Sequence, residues 1–434
     1  MSTTVFTPNF DAQLLAVSGD YFATNSKLYG NLLLDYEEEG IECDTCSEWH
    51  LENNGKVMVF KLIKGIKFHT GQELTSADVK YSLRMIMGDV DGIVSPRSGV
   101  IKEYIESIET PDQYTVRINL IRPSAMMPKI LANASSVIYR DGTTRNGLKA
   151  APAGSGPFLV DTIVSGASWT LNRNPNYFKP GQPYLGKVEL TQIADQTTRY
   201  AAFITGKVDI NIYSYLPPVQ FQGTFNKLAN EDKITSYFFT KGGAFVGVTM
   251  VVSKPPFDNL KLRQAVNLAL DRERVGLVAW GNVSVHPQLL VYTKDSPWSR
   301  SDDEIWNVVP GWGTGAKKAQ EIEQAKQLVK DAGYPNGLDT ELMVRSNLYE
   351  DANQEVQKEI LPIGIRTAIK IVDAATLQDR MAALNYAMQY YTFTVTTRDP
   401  DEVVGQYWIT GGSRNWKGYS NPGVDKLYIQ QSSE

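Results

Sequence analysis

Residues 65–83 (GIKFHTGQELTSADVKYSL) set His69 beside a Thr-Gly turn and place Asp78 at the head of an apolar-periodic run. An imidazole and a carboxylate are the pair a general base requires, one to take the proton and one to orient the ring. The same residues also compose a scaffold: a strand (VMVFKLI), a Lys-Gly turn, a Thr-Gly turn and a capped helix. That reading is the better supported, with His69 satisfying local backbone groups. Cys43 and Cys46, in IECDTCSEWH, offer with His50 three zinc ligands where a structural site needs four, and the chain has no other cysteine. A thioredoxin-like pair would open a helix, whereas Ser47-Glu48-Trp49 leads into a strand; a local disulfide or two plain thiols are the readings left in front. Residues 311–317 (GWGTGAK) depart from G-x-x-x-x-G-K-S/T and follow no strand, so they read as a loop before a helix. Residues 398–402 (RDPDE) hold three carboxylates around Pro400, but paired acid/base carboxylates must converge from separated positions, and a solvated turn fits better. The three histidines, His50, His69 and His286, fall in no H-E-x-x-H spacing, and no G-x-S-x-G elbow occurs. No catalytic residue, metal or cofactor is expected.

The elements that would position such residues follow from periodicity. Residues 56–63 (KVMVFKLI), after Asn53-Asn54-Gly55, alternate as a strand, and so do residues 113–120 (QYTVRINL); 168–172 and 187–193 are shorter versions. Thr75 and Asp78 have capping-box spacing ahead of Val79, Leu83, Ile86 and Met87, and Gly88 ends that run. Asp258 is placed to cap a helix carrying Leu262, Ala265, Val266, Ala269 and Leu270. Residues 316–332 form another, with Ala319, Ile322, Ala325, Leu328 and Val329 on one face before Gly333 and Pro335. Strands and helices mix without a strict βαβ rhythm, so the fold class is mixed α/β (α+β). A length of 434 residues calls for two or three lobes, and Gly/Pro clusters at 151–157, 179–186, 253–257 and 309–315 punctuate the chain.

Hydrophobic residues at 42% and charged residues at 21% suit a soluble globular protein, and 22 Tyr, 15 Phe and 8 Trp suit a lined, partly polar cavity. A net charge of −5 gives no footprint for nucleic acid, and no apolar run is long enough to span a membrane. The start, MSTTVFTPNFDAQLLAVSGDY, has neither the basic nor the apolar region of an export signal.

The opening stretch also carries a resemblance. VFKLIKGIKFHTGQELTSADVKYSL is similar to the family 5 extracellular solute-binding proteins, the peptide- and nickel-type receptors of ABC importers. Further blocks agree in order: YGNLL (29–33), GSGPF (154–158), NRNPNYF (172–178), DQTTRYAAFITGKVDI (195–210), PPFDNLKLRQAVNLALD (255–271), AKQLVKDAGYPNG (325–337) and YSNPGVD (419–425). The resemblance implies a periplasmic-binding-protein-like clamshell of cluster C type with an extra lobe. Lobe I would comprise residues 1–30 and 155–245, lobe II residues 31–154, and lobe III residues 246–434, C-terminally truncated. It implies capture of a small solute, an oligopeptide or related molecule, by hinge closure in an inter-lobe cleft, and delivery to membrane permease subunits. It implies a monomer with no nucleic-acid partner, at work in the periplasm or at the cell-envelope exterior, its export signal missing from this sequence. The alternative is a cleft-containing hydrolase using Asp399 or Asp401.

In peptide-binding members of that family an aspartate four residues before the proline of an Asp/Glu-Pro motif pairs with the ligand's α-ammonium. Asp399-Pro400 matches the motif, and the position four before the proline is Thr396. A ligand that lacks the usual peptide N-terminus or anchors it elsewhere is therefore expected, the alternative being a slip of register that lets Asp399 or Asp401 reach the amine; peptide-like amides, opines, sugars and metal chelates stay open. The resemblance implies ligand-binding candidates Thr396, Tyr390, Tyr391, Trp408, Asn415 and Trp416, with Arg345 and Tyr349 after a lobe III strand. Arg345 is the choice for an anionic group, since a guanidinium fork suits a carboxylate.

Overall fold

Turn chemistry sets the first reversals of the chain. The computed structural model describes residues 2–3, 10–14, 26–36, 40–96, 98–193, 195–210, 219–235, 244–280, 300–346, 349–394 and 400–431. It divides into two units, Met1–Pro217 with Ile429–Glu434, and Pro218–Tyr428. The described strands of the first are β1 (Ser2–Thr3), β2 (Leu33–Tyr36), β3 (Gly40–Cys43), β4 (Cys46–Glu52), β5 (Val57–Leu62), β6 (Ile105–Asp112), β7 (Thr115–Leu120), β8 (Phe158–Val164), β9 (Ser168–Arg173) and β10 (Lys187–Gln192). They pair as an antiparallel sheet β4-β5-β7-β6, a sheet β1-β10-β9-β8, and the two-stranded β2-β3. Asn53 and Asn54 adopt φ of 55° and 52°, which asparagine tolerates better than most residues, and this turns β4 into β5.

Two cores result. Met58, Phe60 and Leu62 of β5 and Val116 and Ile118 of β7 pack under the helix Ser76–Ile86, which supplies Val79, Leu83 and Ile86. Trp169 and Leu171 of β9, Leu190 of β10 and Phe158 of β8 pack with Phe10, Leu28, Tyr29 and Tyr139. Each fully buried aliphatic or aromatic side chain is worth roughly 1.5–3 kcal/mol against exposure, so these cores dominate the stability of the unit.

The helix Ser76–Ile86 shows that Asp78 is scaffold. One carboxylate oxygen accepts from Thr75 N at 2.7 Å, which closes the capping box, and the other accepts from Asp141 N at 2.7 Å. His69 has no link to it. Its backbone N–H donates to Gly154 O (2.8 Å) and its Nε2 donates to Gly156 O (3.1 Å). Burial depresses the imidazole pKa, and the bond to Gly156 opposes that only in part, so the ring is held neutral. The loop His69 grips runs backbone-on-backbone against the chain at Leu28. A Cβ at position 154 would lie 1.9 Å from Leu28 O, and one at 156 would lie 2.5 Å from Leu28 C. The GSGPF block is glycine-rich because nothing larger fits.

Cys43 and Cys46 form a disulfide, which settles the alternatives left open by their spacing. No group of histidine, cysteine and carboxylate side chains among the described residues could hold a metal ion. No described helix is long and apolar enough to cross a membrane.

In the second unit the described strands β11 (Ala244–Met250), β12 (Leu338–Arg345), β13 (Ile365–Val372) and β14 (Met388–Thr394) form a sheet ordered β11-β14-β12-β13. β12 runs parallel to both β13 and β14, and β11 is antiparallel to β14. The helices Leu260–Ala269, Gly315–Asp331 and Glu350–Ile360 contribute to the core with Leu342, Val344, Met388 and Tyr390. The helices Ala374–Ala382 and Pro400–Tyr407 contribute to the core holding Met343 and Phe393. The helix Leu260–Ala269 is capped by Asn259, whose Oδ1 accepts from Lys261 N at 3.0 Å, not by Asp258 as its sequence suggested. The GWGTG stretch is indeed the loop ahead of the helix Gly315–Asp331. Lys318 in that helix reaches back to donate to Leu268 O, Leu270 O and Gly311 O at 2.9–3.1 Å and pairs with Glu321, and with Arg272 it satisfies carbonyls at the end of the helix Leu260–Ala269.

The close approach at Leu28 makes a direct prediction. Gly154→Ala should destabilise the protein by more than about 2 kcal/mol, the size of overpacking penalties, whereas Gly186→Ala, with open space around it, should leave the denaturation midpoint nearly unchanged. Urea unfolding followed by circular dichroism checks both.

Candidate functional site

Parallel strands expose their carboxyl ends on one edge, where loops can gather side chains without interrupting the ladder. In the second unit β12, β13 and β14 end there at Arg345, Val372 and Thr394, with Arg345 directly opposite Val372. β12 and β14 are in register at Leu342 with Met388 and Met343 with Gln389, so two residues further Arg345 is level with Tyr391. Alternation sends both to the face that carries Met343 and Phe393. Arg345 is partly buried, and no carboxylate among the described residues lies within ion-pair distance of it. On the same face Gln378 Nε2 donates to Tyr391 Oη at 3.3 Å.

Tyr349 sits at this edge on the opposite face. Its ring meets Tyr390 edge-on at 5.9 Å, and its hydroxyl accepts from Thr392 Oγ1 at 2.6 Å. The backbone there is left-handed (φ 57°, ψ 27°), a conformation disfavoured for tyrosine by roughly 1–2 kcal/mol. It is over-determined: Asn353 donates to Tyr349 O twice, from its backbone N–H (2.9 Å) and from Nδ2 (2.8 Å). Thr392 and Asn353 were not picked out from the sequence. The period-2 alternation that puts Thr392 on the face of Tyr390 was the signal for the first.

The structure thus gathers Arg345, Tyr349, Tyr390 and Tyr391 at one edge. Trp408 and Trp416 join Tyr391 at the core of Met343 and Phe393, but they and Asn415 are held from the far end of β14. Their loop is anchored where β11 ends and β14 begins: Val252 N donates to Lys417 O at 2.8 Å, and Tyr386 Oη donates to Trp416 O at 2.8 Å. Asn415 spends its side chain on this loop, donating to Ile409 O and Tyr419 O and accepting from Tyr419 N. Trp416 is buried beside Tyr407 and stacks on the guanidinium of Arg414. Trp408 lies edge-on to Tyr419, with the Lys417 ammonium 3.8 Å above its ring. Thr396 and Asp399 lie outside the described residues. Asp401, the other carboxylate on which a hydrolase would depend, is buried on the helix Pro400–Tyr407.

Residues 41–415 match the family described as bacterial extracellular solute-binding proteins, family 5 Middle. The chain is a family 5 solute-binding protein. Among its relatives, heme-binding protein A of Haemophilus influenzae is 24% identical over 96% of this chain and 78% of its own length. The glutathione-binding protein GsiB of Escherichia coli K12 is 25% identical over 88% and 72%. Among solved structures, the ABC transporter-associated periplasmic binding protein DppA from Helicobacter pylori, in complex with peptide STSA, has a TM-score of 0.84 at 22% identity, covering all of this chain and 86% of its own. The periplasmic-binding-protein fold expected from the sequence is therefore the fold found. This solute-binding protein is a substrate-binding receptor of the ABC-importer type, and its family is one of binding proteins, not of hydrolases.

Its loop at 408–419 holds an unusual charge. Lys417 Nζ donates to Tyr407 O at 2.6 Å, and burial pushes its pKa from the ordinary 10.5 down to about 7. With the folded value below the unfolded one, the unfolded chain binds more protons between those two pH values, so this group makes stability rise as pH increases from about 7 to 10.5. Lys417→Met should flatten that rise, by no more than about 1.4 kcal/mol per pH unit. Denaturant titrations of both proteins at pH 7 and pH 9.5 measure it.

Proposed function

We propose that this receptor captures a small solute bearing a carboxylate, and that Arg345 reads that group with Tyr391 beside it and Tyr349 bounding the same strand edge from the other face. The observation that carries the ligand class is the Arg345 guanidinium at the carboxyl edge of β12, partly buried and without a carboxylate partner among the described residues. A guanidinium so placed favours a planar anion that accepts two parallel N–H bonds. The names of the relatives agree with this chemistry: haem, glutathione and a peptide each carry at least one carboxylate. Trp408, Asn415 and Trp416 serve in this reading as framework for the lobe and not as contacts. Thr396 stands where a peptide receptor of this family would place an aspartate, so the ligand lacks a free α-ammonium or holds it elsewhere.

The three-lobe division fits this reading. Lobe I (1–30 with 155–245) would hold the sheet β1-β10-β9-β8, lobe II (31–154) the sheet β4-β5-β7-β6, and lobe III (246–434) the sheet β11-β14-β12-β13, so each lobe has a sheet of its own. The receptor acts as a monomer outside the cytoplasmic membrane, passes its solute to ABC permease subunits, and leaves the solute chemically unchanged.

A thermal-shift screen over glutathione, haem, the tetrapeptide Ser-Thr-Ser-Ala and carboxylate-bearing opines tests it. A true ligand at a hundred times its Kd stabilises by about 2.7 kcal/mol, and chromatography should recover it intact. Arg345→Met should weaken that ligand by about 10–100-fold, the range for losing a charge-assisted bond, and Thr396→Asp should raise affinity for free-amine peptides. Ligands without any anionic group binding best, or binding unaffected by Arg345→Met, would refute the assignment.

A further inference from the structure

The disulfide between Cys43 and Cys46 closes a very short ring, so it removes little freedom from the unfolded chain. Its effect must be local, and what it encloses is unusual. Cys43 ends β3, paired with Leu33 of β2, and Cys46 begins β4, paired with Leu62 of β5, so the ring sits where two sheets meet. Asp44 and Thr45 between them are 6% and 0% exposed. Asp44 N and Thr45 N donate to Leu32 O (3.0 Å) and Asn31 O (3.1 Å), and Thr45 Oγ1 also donates to Asn31 O (2.8 Å). The Asp44 carboxylate accepts from Asn31 N at 2.9 Å through one oxygen and pairs with Lys179 at 2.5 Å through the other. Gly30 lies against the same ring, where a Cβ would come within 2.9 Å of Thr45 Cγ2. Two consecutive residues thus bond to Asn31 and Leu32, at the entry to β2, pack against Gly30, and hold a lysine beyond β9.

We propose that this disulfide is a redox-sensitive clasp: while it is closed it presets Asp44 and Thr45 to hold residues 30–32 and Lys179, and its reduction loosens that tie and leaves the sheet β11-β14-β12-β13 intact. Cys43 is partly buried and Cys46 is almost wholly so, which makes the Cys43 sulfur the one open to attack. The reductant is a dithiol. Its thiolate attacks the Cys43 sulfur, and Cys46 leaves as a thiolate and takes a proton. The second thiol of the reductant then displaces Cys43, which also leaves as a thiol. Two electrons and two protons enter the protein, and the dithiol closes to its own disulfide. Once reduced, the backbone at 43–46 is free to leave its turn, and Lys179 loses a carboxylate fixed in place.

The test uses the whole chain with dithiothreitol as the dithiol. Thiol titration under native conditions should show two thiols appearing. Amide exchange should then accelerate at least tenfold across residues 30–33 and 177–182, with no change in β11–β14. The melting temperature should fall, and by less in Lys179→Met than in the natural protein, because both changes act on one tie. The variant Cys43→Ser with Cys46→Ser should reproduce the reduced protein, and if it fails to fold, the dithiothreitol arm decides alone. Failure of thiols to appear in the native protein, unchanged exchange at 30–33, or effects of reduction and Lys179→Met that simply add would each overturn the proposal. None of these readouts depends on a ligand.

Discussion

Backbone lying on backbone at Gly154 and Gly156 is the constraint on which the first unit depends. The chain at Leu28 passes so close that a single methyl at either position would overlap it. Around this contact the hydrogen bonds accumulate: Gly156 N donates to Leu28 O, Asn174 Nδ2 donates to Gly156 O, and His69 holds both Gly154 and Gly156 from the other side. Leu28 and Tyr29 are thereby fixed as one wall of a core whose other wall is β8, β9 and β10. The residue that looks most like a general base is a clamp on this crossing, neutral because burial keeps it so.

The second unit works by strand polarity. Three parallel strands deliver Arg345, Tyr391 and the turn at Tyr349 to one edge, and a left-handed tyrosine is tolerated there because Asn353 and Thr392 fix its carbonyl and its hydroxyl. Strain held in place by neighbours is a common property of ligand-facing loops. Fold alone would not assign a role to this edge, and the role proposed for it rests on Arg345, partly buried and without a carboxylate partner among the described residues.

Much of this was legible in the residues, and the reasons differ by element. β7 was found because one-sided burial imposes alternation, β5, buried on both faces over Val57 to Phe60, because its apolar run follows the Asn53-Asn54-Gly55 turn, and the helix Ser76–Ile86 because Thr75 and Asp78 must stand three apart to cap it. The cap at residue 259 was misplaced by one because Asp258 and Asn259 are both good caps and only the path of the chain chooses between them. The ends of β14 were harder. Nothing in the type of Trp408, Asn415 or Trp416 says which end of a strand it will serve; contacts with Val252 and Tyr386, remote in sequence, decide it. The disulfide stayed open from spacing alone because two cysteines so close together can equally remain thiols.

Asn415 makes three bonds to its own loop, two of them through its amide nitrogen, and so its chemistry is committed to architecture. A side chain in that condition is a poor substrate for natural selection on diet. Whatever solute descendants of this receptor come to prefer, the segment around Asn415 should stay fixed as inherited framework.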